Sequence, residues 1–181
     1  ELFLSQAGAS IVGVHKLELK HLTDRAHQGK DSLLCLHGTD VNNVPSILCS
    51  GFWPSAASES VYGASVCVTC DLQEATRYQG DISTGPPLKG KRGTRCQLFL
   101  VSRLYCNRYD QDESKTNAVK WNEMREHEPT AVYDVTQLVP EYLVWIGTPG
   151  DLGKKTLNGF SKEIDQRARH LWKERRAVDT A

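Results

Sequence analysis

Residues 96–104 are apolar on both alternating faces, the pattern of a strand with packing on either side. Such a strand needs a sheet with elements above and below it. A chain of 181 residues is long enough to build one domain around that sheet. Further strand-like runs occupy residues 11–14, 33–37, the β-rich 61–70, 130–135 and 137–146. Helical patterns fall between them. Residues 15–28 carry Leu17, Leu22 and Ala26 as an imperfect apolar stripe. Asn42 or Asn43 can cap a helix over 44–49, with Pro45 in its first turn and Gly51 ending it. Asp71 and Glu74 have capping-box spacing and open a helix that reaches Tyr78. Over 161–176, Ile164, Ala168, Leu171 and Trp172 recur at helical spacing, with Phe160 just before. Residues 53–60, 80–95 and 147–153 read as loops or breaks.

The fold class expected is therefore α+β, with short strands and few helices. Three segments follow: 1–30 as an N-terminal strand and helix extension, 31–147 as the central domain, and 148–181 as a C-terminal amphipathic helix and tail. That last helix either packs on the domain or belongs to an exposed part of a longer protein. A start at Glu1 rather than Met fits a piece of a longer chain.

Lys plus Arg number 22 and Asp plus Glu number 22, so no global charge favours nucleic acid or an anionic membrane. No apolar run approaches the roughly 20 residues a membrane-spanning helix needs. The six cysteines are read as reduced thiols, because Cys35, Cys67, Cys96 and Cys106 sit in strand-like runs where free Cys acts as a small hydrophobe. An intracellular protein, cytoplasmic or nuclear, is the expectation.

The candidate site is carried by four motifs in order: His37-Gly38-Thr39 at a strand end; Gly63-Ala64-Ser65-Val66-Cys67; Asp71-Leu72-Gln73-Glu74-Ala75-Thr76-Arg77-Tyr78; and Tyr133-Asp134 followed by Gln137-x-x-Pro140-Glu141-Tyr142-Leu143. In order and spacing this set resembles the catalytic domain of the poly(ADP-ribose) polymerases and their mono-ADP-ribosyltransferase relatives, over about residues 32–146. The resemblance implies an ADP-ribosyltransferase fold, two short antiparallel sheets around a cleft. It also implies NAD as substrate, with release of nicotinamide and transfer of ADP-ribose to a protein or nucleic-acid acceptor. The stretch from Asp71 to Tyr78 also looks like a virus-induced branch of the family known from fish.

By that resemblance His37, Gly38 and Thr39 open the site. His37 would reach a ribose hydroxyl, and Gly38, lacking Cβ, would let the nicotinamide carboxamide approach the backbone. Tyr78 would stack on the nicotinamide ring. Trp53 would either stack on the adenine or cover the core. Three positions depart from the family pattern. Cys67 stands where a Tyr is expected, Ala75 where many members have Ser, and Pro129 at the third catalytic position, where polymerases have Glu. A one-residue shift brings Glu128 there as the acid for an oxocarbenium-like transition state, at the cost of turning its side chain to the other face. An active mono-transferase and an inactive binding or interaction module both follow from this pattern. A third option is an NAD-using RNA-processing relative that removes a 2′-phosphate.

Blander readings accompany each residue. Cys67-x-x-Cys70 provides two of the four ligands zinc needs, and no second pair completes them. No base for Cys67 as a nucleophile can be placed. Tyr62 is a distant substitute for the missing Tyr. Lys89, Lys91, Arg92 and Arg95 form either a solvated loop or a grip on a phosphate-rich acceptor.

Overall fold

The structure, a computed structural model, describes residues 10–26, 31–54, 65–78, 97–106, 130–132, 134–147 and 154–179. At its centre is β4, Gln97–Cys106, flanked by β2, Asp31–Gly38, and β6, Leu138–Gly147. β1, Ser10–Lys16, closes the far edge and completes an antiparallel sheet ordered β1-β6-β4-β2. The double-sided apolar pattern of β4 is used as expected. Leu98, Leu100 and Leu104 enter the larger core, and Phe99 enters a smaller core on the opposite face.

A second antiparallel sheet pairs β3, Val66–Val68, with β5, Thr130–Val132. The two sheets join where Leu36 and Thr69 exchange backbone hydrogen bonds of 2.7 and 3.0 Å. The molecule is thus a mixed α+β fold with antiparallel sheets and few helices.

α2, Val44–Ser50, holds Pro45 in its first turn and stops at Gly51, whose φ of 88° is a conformation that L side chains rarely adopt. Asn43 occupies the N-cap position without a capping bond. Its amide donates instead to Thr39 Oγ1, while Asp40 Oδ1 accepts from the Asn42 backbone and side chain. α3, Leu72–Thr76, is capped by Asp71, which accepts from the Gln73 amide at 2.7 Å. The other half of the expected capping box is replaced. The Asp71 amide donates to Thr69 Oγ1, and Glu74 is engaged by Arg77 and Tyr78.

Residues 15–28 correct the sequence reading. His15 and Lys16 belong to β1, and α1 is a single turn, Lys20–Thr23. Leu17 and Leu19, both buried, follow the two-residue period of extended chain, and the Leu17 amide donates to the Glu141 carbonyl. Residues 130–135 are corrected too. β5 spans Thr130–Val132, and a 3₁₀ turn, Val135–Gln137, precedes β6, nucleated by Asp134 accepting from the Thr136 amide.

α4, Lys154–Asp179, lies on the larger core, resolving the choice left open for the C-terminal helix. Leu157, Ile164 and Ala168 are buried there, and the Trp145 indole donates to Ser161 Oγ at 2.9 Å. Gly13 faces this contact: a Cβ there would stand 3.4 Å from Leu157 and 3.5 Å from Trp145, ordinary van der Waals distances. β1 is a strand of the main sheet, and α4 covers its core. Among the described residues no helix is long and apolar enough to cross a membrane.

Candidate functional site

Alternation along β2 sets the site. Leu33 and Cys35 face the larger core, and His37 falls on their side; Leu36 faces the smaller core, and Gly38 falls on its side. The His37 ring meets Phe52 edge-on, with centroids 5.0 Å apart and planes at 83°. Phe52 is brought there by the sharp exit of α2 at Gly51.

His37 Nδ1 lies 2.9 Å from the Cys67 carbonyl oxygen. A carbonyl can only accept, so Nδ1 carries the hydrogen and the neutral ring keeps a lone pair on Nε2. Burial holds the imidazole below its ordinary value, and the bond to the Cys67 carbonyl opposes that only in part. At neutral pH His37 is therefore an uncharged, oriented hydrogen-bond acceptor with some remaining solvent access. This chemistry suits recognition of a hydroxyl.

Gly38 is buried and pairs with Phe99 at the last register position of β2. Thr39 follows, its hydroxyl oxygen accepting from Asn43 Nδ2 at 3.3 Å while its own hydrogen remains to donate. On the Gly38 face, Leu72 and Ala75 of α3 share the smaller core with Leu36 and Phe99. Tyr78 follows α3 with half its surface exposed, and its hydroxyl donates to Glu74 Oε1 at 3.3 Å. Arg77 completes the arrangement with a 2.7 Å ion pair to Glu74 Oε2. Glu74 is buried yet fully partnered, as a charged group in that position must be.

Cys67 sits opposite Ala131 in the small sheet, between the buried Val66 and Val68. Burial, and after it the negative charge of Glu74, push its thiol up; burial alone does the same to Cys70. Both are protonated, weakly nucleophilic thiols at neutral pH. Trp53 is 67% exposed, while its neighbour Phe52 is buried in the larger core.

The fold thus links His37 directly to Cys67 and sets α3, with Tyr78 at its end, on the Gly38 face. His37 falls on the larger-core side of β2, and α3 packs on the smaller-core side. Glu128, Pro129, Tyr62, Tyr133 and the basic cluster 89–95 lie outside the described residues. Among the described residues no group of three or more His, Cys, Asp or Glu could hold a metal. Phe52, Thr69 and Glu74 shape the site without having been singled out for it. For Glu74 the signal was present in its spacing to Arg77 and Tyr78, three and four residues on.

Cavities among the described residues lie elsewhere. One of about 480 Å³ opens beside Arg103, whose guanidinium is fixed by Glu141 and Ser32 on the sheet face. A second, of about 340 Å³, separates α1 from α4. Neither is lined by His37, Gly38 or Tyr78.

Compared with protein-family models and with curated proteins, the sequence matches none.

Proposed function

We propose that the chain is a divergent ADP-ribosyltransferase domain that binds NAD at the end of β2 and passes one ADP-ribose unit to a protein or nucleic-acid acceptor. The observation that carries this reading is the state of His37. It is neutral, held through Nδ1 by a backbone carbonyl, and left with Nε2 free to accept from a ribose hydroxyl beside Gly38. Further support comes from the joining of two antiparallel sheets next to that residue and from the half-exposed Tyr78 after α3, which in this reading stacks on nicotinamide. Among the described residues Cys35, Cys49, Cys67 and Cys70 form no disulfide, which fits an intracellular setting.

In this reading the bond between the ribose C1′ and the nicotinamide nitrogen breaks, and its electrons neutralise the pyridinium as it leaves. The acceptor nucleophile bonds to C1′ and gives up its proton. Positioning by His37, Gly38, Thr39 and Tyr78 supplies much of the rate. Trp53 contributes adenine stacking, and Glu128 the negative charge that steadies the oxocarbenium-like state.

A second reading, an NAD- or ADP-ribose-binding module without transfer, is favoured by Ala75. That residue is 1% exposed within the smaller core, so its position offers no hydroxyl to a ligand. Labelled NAD separates the two. Transfer of label and release of nicotinamide by the wild-type chain, abolished in His37→Ala, support the transferase. Ligand binding without either product supports the module. Equal release by wild type and His37→Ala contradicts a His37-centred site.

A further inference from the structure

Three basic side chains meet at the end of α2. His21 Nε2 donates to the Cys49 carbonyl at 3.0 Å, and Arg25, just after α1, donates through Nη1 to the Ser50 carbonyl at 3.4 Å. Arg175, from the last turns of α4, donates through Nη1 to Ser50 Oγ. A helix C-terminus draws basic side chains to its last carbonyls, which accounts for His21 and Arg25. It does not account for Arg175, which reaches a hydroxyl oxygen 125 residues away in sequence. Two guanidinium groups are thus brought to one residue, and α2 itself carries no charged side chain to stand between them.

The surroundings leave both cations without a carboxylate. Among the described residues neither Arg25 nor Arg175 forms an ion pair. The acids nearby are engaged elsewhere or stand apart. Asp165 holds Arg169, with Glu18 acting on the same guanidinium. Glu174 lies 3.2 Å from His170, and Asp24 is exposed and pairs with neither arginine. Arg176 lies over the Trp172 ring. Across residues 18–25 and 165–176, seven Lys or Arg stand against four Asp or Glu. Arg25 and Arg175 are exposed and Ser50 is half-buried, so all three are open to solvent. The Ser50 hydroxyl, accepting from Arg175, keeps its hydrogen to donate. Two guanidinium forks and that hydroxyl offer donors only.

We infer that Arg25, Arg175 and Ser50 form a binding site for a phosphate group. Each guanidinium fork presents N–H groups to the phosphate oxygens, and the Ser50 hydroxyl donates to a further one. The bound anion removes the repulsion between the two arginines and ties α4 to the end of α2. A free phosphate ion and a phosphate monoester share this chemistry. The site is separate from His37 and does not depend on the reading given above.

The probes are inorganic phosphate and glycerol 2-phosphate, titrated into the full chain with ionic strength held constant by chloride, so that general screening cancels. NMR reads the Nε–H signals of Arg25 and Arg175 and the amides of Ser50 and Gly51. The expected result is saturable shifts at these groups with at least one probe, the tighter probe telling whether the free ion or the ester is preferred. Arg25→Gln and Arg175→Gln each weaken binding about fivefold or more, while Arg167→Gln, at another exposed position of α4, leaves it unchanged. Phosphate also raises the melting temperature of the wild-type chain above its value in chloride, and the Arg25→Gln, Arg175→Gln double variant loses that gain. The inference is overturned by absence of saturable shifts with both probes, or by shifts spread equally over Arg167 and the other basic side chains. Unchanged affinity in Arg25→Gln and Arg175→Gln overturns it as well.

Discussion

In the proposed reading His37 concentrates the chemistry of this chain, because its two ring nitrogens have different surroundings. One is tied to the Cys67 carbonyl; the other is free to accept. The same burial has a thermodynamic consequence. The folded-state value of His37 lies below the unfolded one, near 6.5, so the unfolded chain takes up the proton first as pH falls. Its contribution to stability is complete above about pH 6.5 and is lost as pH drops below that, by at most about 1.4 kcal/mol per pH unit. Chemical denaturation from pH 8 to pH 5 checks this: wild type weakens through the window, and His37→Gln weakens less. Cys67 gives a second test at this scale. Its alkylation rate should rise with pH around a midpoint above that of a cysteine in an unfolded peptide, and Glu74→Gln should lower that midpoint by removing a nearby negative charge.

At the scale of elements, the parts legible in the sequence are those whose signals are local. The two-faced apolar run became β4, Gly51 ended α2, Asp71 capped α3, and the stripe from Ile164 to Trp172 lies in α4. What misled was a segment whose conformation is set from outside. Leu17, Leu22 and Ala26 look helical, but pairing of β1 with β6 keeps residues 10–16 extended. The nearer alternation of Leu17 and Leu19 was the available clue. Of the candidate site, the placement of His37, Gly38 and Tyr78 in or beside regular elements is legible in the sequence. The Phe52 and Thr69 contacts were not, since they arise only when β2 meets α2 and β3. Two glycines test the reading of the helices in opposite directions. Gly51→Ala forces a side chain into a positive-φ conformation and should cost about 1–3 kcal/mol. Gly159→Ala meets nothing within 4 Å on the surface of α4 and should stabilise by about 0.5–1 kcal/mol. Thermal denaturation of both variants decides.

On the scale of the whole molecule, the first and last described elements, β1 and α4, are part of the fold's centre. β1 supplies an edge of the main sheet, and α4 places Leu157, Ile164 and Ala168 over Trp145 and its neighbours. A fragment of residues 31–147 alone should therefore lack a cooperative unfolding transition and expose apolar surface to a reporter dye; a sharp transition would show that the ends are dispensable. Leu157→Ala in the full chain should cost about 2–5 kcal/mol by the same packing.

The most direct test of the central claim is calorimetric titration of the folded chain with NAD and, separately, ADP-ribose, beside His37→Ala. Saturable binding of either ligand that disappears in the variant is the predicted result. Absence of binding to both, or binding that His37→Ala leaves unchanged, would contradict a nucleotide site at the end of β2.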